Sequence, residues 1–257
     1  MAKRIKNFLL GISLFVIILI IWQLLTTLKV IPTWILSSPK ETFFSFFDLA
    51  QSGVLVKLLL NSFSNILPAF LLSLLLSLIL GTLVGINTTF RRMFLPFLAA
   101  INSVPSLAWL PIIILFLGFT HQTIWVVIFI SSFTRIIYNV IGGVRDINNN
   151  WLLVAQNLKL NKFETIIKII LPGALPQILS GIRVGFGSAW RSLIGAEMLV
   201  IATGGLGKYI WMSQWAFKFD QVISGVIVIA LVGVLAEQFI FRKIEKITLL
   251  KWGLIRE

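Results

Sequence analysis

Five charged side chains in this 257-residue chain fall inside or beside long uncharged runs: Arg135, Arg183, Arg191, Glu197 and Glu237. A charge within hydrocarbon is costly, so such a group faces protein or water and usually has a partner. The planar guanidinium of Arg191 suits a sulfonate, nitrate or carboxylate, and the alternative is an ion pair with Glu197 or Glu237. Residues 191 and 197 are six apart, about 240° around a helix, so they do not stack on one face. Arg183 lies close enough to a span end to extend its head to water. Other chemistry is thinly supplied. There is no cysteine and a single histidine, His121, in a polar turn where a solvated role is expected. No cluster has metal-ligand spacing. Gly207-Lys208 is followed by Tyr209 and lacks the leading glycine of a phosphate-binding loop, so the chain is not expected to hydrolyse ATP.

The elements that must position these groups are membrane helices. The chain is 58% hydrophobic and only 12% charged, which excludes an ordinary soluble globule. Its net charge of +13 is clustered at Lys3, Arg4 and Lys6, at Arg91 and Arg92, at Arg145, Lys159, Lys162 and Lys168, and from Arg242 to Arg256. Basic residues gathered between apolar runs follow the positive-inside pattern and call for no nucleic acid. A spanning helix needs about 20 apolar residues. Six spans are predicted, near 8–28, 66–86, 94–117, 123–143, 177–202 and 222–241, with both termini cytoplasmic. Residues 1–257 then form one all-α transmembrane domain, with no separate soluble unit. Pro96, Pro105 and Pro111 are expected to kink the third span. Ser38-Pro39-Lys40-Glu41 reads as a capping box opening an interfacial helix, with Phe43, Phe44, Phe46, Phe47 and Leu49 as its membrane stripe.

Residues 145–176 interrupt the apolar runs with a cytoplasmic two-helix lever. Hydrophobics at Leu152, Leu153, Leu158, Leu160, Phe163, Ile166, Ile167 and Ile170 give two short amphipathic helices with a turn near Lys159–Asn161. The segment resembles the coupling loop of binding-protein-dependent ABC importer permeases. That loop reads Glu-Ala-Ala, three residues, Gly, then about nine residues to Ile-x-Leu-Pro. Leu153-Val154-Ala155, Lys159 and Ile169-Ile170-Leu171-Pro172 occupy those positions here. Val104-Pro105-Ser106-Leu107-Ala108-Trp109-Leu110-Pro111, Gly181-Ile182-Arg183, Ala196-Glu197 and Gly204-Gly205-Leu206-Gly207 extend the resemblance, which fits the nitrate/sulfonate/taurine branch from about residue 35 onward.

The resemblance implies a type I importer permease in a bacterial inner membrane, working as a dimer with a second copy or a related permease. Its partners would be ABC ATPase subunits, which bind the ATP and magnesium, and an extracytoplasmic substrate-binding protein; the chain itself would hold no cofactor. Leu152, Leu153, Ala155, Leu158, Lys159 and Phe163 would dock the ATPase. Arg191, Trp190, Glu197 and Arg135 would line the path, the two arginines at positions commonly aliphatic in the family. The cargo would be a small anion such as sulfonate, taurine, nitrate or bicarbonate, with a pyrimidine or thiamine precursor as the alternative. Leu153 replaces the family's glutamate and Lys159 its turn glycine. Either the coupling is weakened, or docking rests on apolar burial. A channel or a membrane scaffold is the contrasting class.

Overall fold

The computed structural model describes residues 2–32, 35–200 and 204–251; the predicted end of the fifth span at 201–202 and the tail residue Arg256 lie outside them. The described residues form helices joined by turns and short irregular segments, without strands. The helices are α1 (Ala2–Thr27), α2 (Pro39–Gln51), α3 (Val54–Ile86), α4 (Thr88–Ser103), α5 (Leu110–Leu117), α6 (His121–Arg145), α7 (Asn149–Asn157), α8 (Lys162–Thr165), α9 (Leu171–Leu199), α10 (Leu206–Trp215), α11 (Phe219–Leu235) and α12 (Arg242–Lys251). Four helical runs among the described residues are long and apolar enough to cross a membrane: α3, α6, Lys162–Leu199 and Phe219–Glu245.

Three expectations change. The span at 94–117 is not one kinked helix but two, α4 and α5, bent by 87°. Pro105 causes the break, because its ring disfavours helical geometry at the preceding residue, and Val104 is extended at φ −95°, ψ 125°. The span predicted at 66–86 does not start there; α3 runs unbroken from Val54 through Pro68 to Ile86. The second lever helix is not separate from the fifth span either. From Lys162 to Leu199 the chain is one 38-residue helical run, about 57 Å long at 1.5 Å per residue.

That run contains a π turn over Ile166–Ile170, where the Leu171 N–H reaches the Ile166 carbonyl. Pro172 follows and brings no N–H for the next bond, so the wider turn takes up the register fault. A second π turn, Ala236–Phe241, joins α11 to α12. The capping box of α2 forms as the sequence suggests: Glu41 N–H donates to Ser38 Oγ (3.2 Å) and Ser38 N–H to Glu41 Oε2 (2.8 Å). Its apolar stripe is narrower than expected. Phe43, Phe44 and Phe47 are exposed, whereas Leu49 is buried and Phe46 packs on the core.

At the centre, α6 packs between α3, to which it runs parallel, and α9, to which it runs antiparallel, and glycines set the spacing. A Cβ on Gly81 would come within 2.8 Å of Val140 Cβ, and one on Gly181 within 2.6 Å of Asn139 Cβ. Small residues matter here because lipid gives helices no hydrophobic reason to associate, so contact depends on close van der Waals packing. Hydroxyls reinforce it: Ser132 Oγ bonds Ser73 Oγ at 2.8 Å, and Ser77 Oγ donates to the Phe133 carbonyl at 3.2 Å. Gly181 and Gly185 therefore serve helix packing against α6. Gly181→Leu is expected to destabilise the chain by about 1–3 kcal/mol through overpacking. Gly142→Ala, with nothing within 4 Å of its new Cβ, is expected to be neutral or mildly stabilising. Heating in detergent followed by fluorescence-detected size exclusion separates the two.

Candidate functional site

Three places gather the charged and exposed residues: the lever, a carboxylate clamp at the opposite end of the bundle, and a cavity between them.

In the lever, Asn148 caps α7 through its side chain (Asn150 N–H, 2.9 Å), and Asn161 opens α8 with a reciprocal box to Glu164 (2.8 and 3.1 Å). The connecting turn puts Lys159, at the family's glycine position, in the left-handed region at φ 52°. A non-glycine residue there carries about 1–2 kcal/mol of strain. The two faces of α7 divide the expected docking residues. Ala155 is buried and Leu152 packs against the core, so these two hold the lever to the body. Leu153, Leu158 and Phe163 are exposed, as are Trp151, Val154 and Ile167, which sequence reasoning left out. Lys159 is exposed beside them.

Glu197 was expected on a path, yet it is fully buried. It accepts from Ser62 Oγ (3.0 Å), Asn65 Nδ2 (3.3 Å) and the Gly207 N–H (3.0 Å). Ser62 Oγ in turn accepts the Leu206 N–H at 3.0 Å. The carboxylate thus ties α9 to α3 and to the N-terminus of α10, where unpaired backbone donors and the helix dipole favour negative charge. Gly205, at φ 141°, lies so close that any Cβ would collide with the carboxylate. His121 is no free loop residue: its Nδ1 pairs with Asn65 Oδ1 at 2.8 Å, adding the start of α6 to the same network. Trp190 is also removed from the candidate path. It is buried, stacks near Phe63, and donates its indole N–H to the Ile229 carbonyl of α11 at 3.2 Å.

The other intramembrane charges sort by partner. Arg183, expected to extend to water, is ion-paired with Glu237 and with Glu245 (3.5 Å). The π turn over residues 236–241 contains Glu237 and so sets its rotation toward α9. With Glu197 and Glu237 both engaged, neither is the partner of Arg191. Arg191 and Arg135 instead line one cavity of about 340 Å³, walled by α6, α9 and the Pro105 break. They are its only charged lining residues among the described ones. Ser131 and Thr134 on α6, and Ser188 and Ser192 on α9, share the lining.

This arrangement is a membrane path component with an external lever, and comparison with known proteins agrees. Residues 73–242 match the family model described as "Binding-protein-dependent transport system inner membrane component". The chain belongs to that family. It is 33% identical over 242 residues to the putative aliphatic sulfonates transport permease protein SsuC of Bacillus subtilis (strain 168), covering 94% of this chain and 87% of that protein. It is 28% identical over 233 residues to the taurine transport system permease protein TauC of Escherichia coli (strain K12), covering 89% and 84%. In structure it is similar to a chain of the MetNI methionine ABC transporter, with a TM-score of 0.64 and 16% identity, over 76% of this chain and 95% of that one. The fold is therefore that of an ABC importer permease, and the chain is a multi-pass transport subunit of the nitrate/sulfonate/taurine branch.

Two outcomes follow from the permease's fixed points. Glu197→Ala leaves Ser62, Asn65 and the Gly207 N–H without their acceptor and is expected to cost about 3 kcal/mol, read as a lowered unfolding midpoint in detergent. Glu164, outside the membrane, is held below the ordinary carboxylate range by its bond from Lys168, the Asn161 N–H and the Lys168 charge. Its folded value lies below its unfolded one, so its contribution is complete above about pH 4.3 and is lost as pH falls through the depressed value. The hydrogen-exchange protection factor of the Asn161 amide, which donates to that carboxylate, should therefore hold at neutral pH and fall only below the usual glutamate range.

Proposed function

We propose that this permease forms, with a second copy or a related permease, the membrane path of an ATP-driven importer for a small anion. The observation that carries this reading is the apolar outer face of the lever. Leu153, Leu158 and Phe163 stand 53%, 64% and 70% exposed on a segment fixed to the body by Leu152 and Ala155. Large apolar side chains exposed on a rigid element mark a protein contact, and interface energy concentrates in such anchors. The lever's occupant is an ABC ATPase subunit, which would supply the ATP and magnesium.

Rotation of the lever on ATPase closure is carried into the bundle because α8 continues into α9 as one helix. With the lever and the basic segments on the cytoplasmic side, both termini lie inside and α10 faces the extracytoplasmic binding protein. The anion class is supported by the sulfonate and taurine permeases among the relatives, and by unpaired arginine in the bundle.

The test is affinity purification from membranes with and without the double change Leu153→Asp/Phe163→Asp. A nucleotide-binding subunit should co-purify with the native chain and be lost from the double variant, whose unfolding midpoint should be unchanged because both side chains are exposed. A partner retained at the native level by the double variant would remove the lever from the coupling role.

A further inference from the structure

The cavity between α6 and α9 has a construction that neither the family nor its relatives' names assign. Arg135 and Arg191 sit on antiparallel helices. The close contacts of Gly181 with Asn139 and of Gly185 with Ile136 fix their relative register. In that register residue 135 lies level with about residue 185, so the two arginine Cα atoms differ in height by roughly 9 Å at 1.5 Å per residue. Helical side chains lean toward their own N-terminus. The N-terminus of α9 is at the lever end and that of α6 at the opposite end, so the two guanidiniums lean toward each other. The bond from Arg191 Nη2 to Ser188 Oγ, one turn nearer the lever, records that lean directly. Both arginines converge on the level of Ser131 and Ser188.

The hydroxyls repeat the pattern. Ser131, Thr134 and Arg135 are at i, i+3 and i+4, and so are Ser188, Arg191 and Ser192, which places each set on one helix face. Ser192 Oγ is held by Ser106 Oγ at 2.8 Å, joining the wall to the segment after the Pro105 break. None of the eight carboxylates among the described residues is ion-paired with either arginine: Asp146, Glu164, Glu237 and Glu245 pair elsewhere, and Glu197 is held in its clamp. Two guanidiniums in one membrane cavity without a counter-charge among the described residues leave a positive site that suits an incoming anion. The volume of about 340 Å³ is at the small end of ligand pockets, which suits a compact solute and its water.

The geometry points to a transit site for a small monovalent oxoanion, gripped between Arg135 and Arg191, as the substrate-selecting element of the permease. The site rests on the importer reading for its purpose, although its binding is measurable without the motor. Monovalency follows from the charge balance: a single negative charge is held by two forks but leaves the site positive, so it is released onward, whereas transport requires binding weak enough to leave. The fork geometry selects oxygens in a plane or on a tetrahedral face, as in sulfonate, nitrate and bicarbonate.

The test uses the full chain in lipid nanodiscs, with methanesulfonate as probe and its methyl signal read by saturation-transfer NMR. Nitrate and bicarbonate should compete, and choline should not. Arg191→Gln and Arg135→Gln should each weaken binding roughly 10- to 100-fold, and the Lys variants should recover part of it, because charge is kept and the fork is lost. Both arginines are exposed in the single chain, so thermal midpoints should match the native one and exclude misfolding as the cause. Binding unchanged in both Gln variants overturns the proposal. So does absence of saturation transfer to methanesulfonate, with no competition among the anions, in a preparation whose lever still captures the ATPase. If the ATPase is not captured yet methanesulfonate binding depends on both arginines, the anion site stands and the importer reading fails.

Discussion

The close approach of α6 to α3 on one side and α9 on the other is the contact on which the rest of the molecule depends. Hydrocarbon offers no partner to a polar group and no hydrophobic gain from bringing helices together. The bundle answers with backbone-level contact at Gly81, Gly181 and Gly185, and with hydroxyls that satisfy each other or a carbonyl across the seam. Leave a methylene in that seam and α6 shifts. With it would go the register that brings Arg135 toward Arg191 and the placement of His121 under Asn65. The cavity and the clamp are thus consequences of helix spacing before they are consequences of charge.

Polar groups in this fold fall into two physical kinds. Glu197 and Arg183 are matched: one by three donors, the other by two carboxylates. Removing a donor from buried Glu197 would leave a desolvated charge, and Arg183 ties two helical segments through its two carboxylates, so these groups fix geometry. Arg135 and Arg191 are unmatched by any described carboxylate and face open space. An isolated chain with these two groups against lipid would be disfavoured. In the dimer proposed above that space would be water or the opposing subunit, which supports placing the proposed path at this face.

Much of the fold was legible because it rests on local chemistry. The capping box at Ser38–Glu41, the four apolar runs and the two lever helices each follow from residues within a few turns of one another, and the family's proline and glycine motifs were readable as a resemblance. The break at Pro105 was signalled by the proline, but its 87° angle depends on tertiary packing. Glu197 was misread because its partners Ser62 and Asn65 are more than a hundred residues away, and a lone glutamate in a span looks the same whether it lines a path or closes a clamp. Trp190 was misread for the same reason: only the fold puts the Ile229 carbonyl beside its indole. The lever's inner and outer faces are separable by helical period, yet Leu152 and Ala155 were grouped with Leu153 because the family motif runs through all three. The paired Ser-x2-Thr-Arg and Ser-x2-Arg-Ser patterns were present in the sequence. Their meaning needed the antiparallel register that sets them face to face.

The helical run from Lys162 to Leu199 carries nearly every group of interest, and their order along it decides what a movement of the lever can do. Phe163 is at one end; Arg183, Arg191 and Glu197 follow roughly 30, 42 and 51 Å further along at 1.5 Å per residue. Arg183 pins the run to the last helical segment, and Glu197 pins it to α3 and α10, so Arg191 lies between two fixed points. Sharp bends in helices arise at prolines and π turns. The π turn at Ile166–Ile170, Pro172 and Pro176 all fall between Phe163 and the first of those points. Bending of this run is therefore confined to the lever side of Arg183. A push on the lever either flexes that stretch, leaving the cavity untouched, or moves the pinned block from Arg183 to Glu197 as one body together with α3, α10 and the last helix. Only the second would change the spacing of Arg191 from its counterpart in the proposed dimer. Coupling in this permease accordingly depends on the short stretch around Pro172 being stiff enough to transmit the lever's displacement.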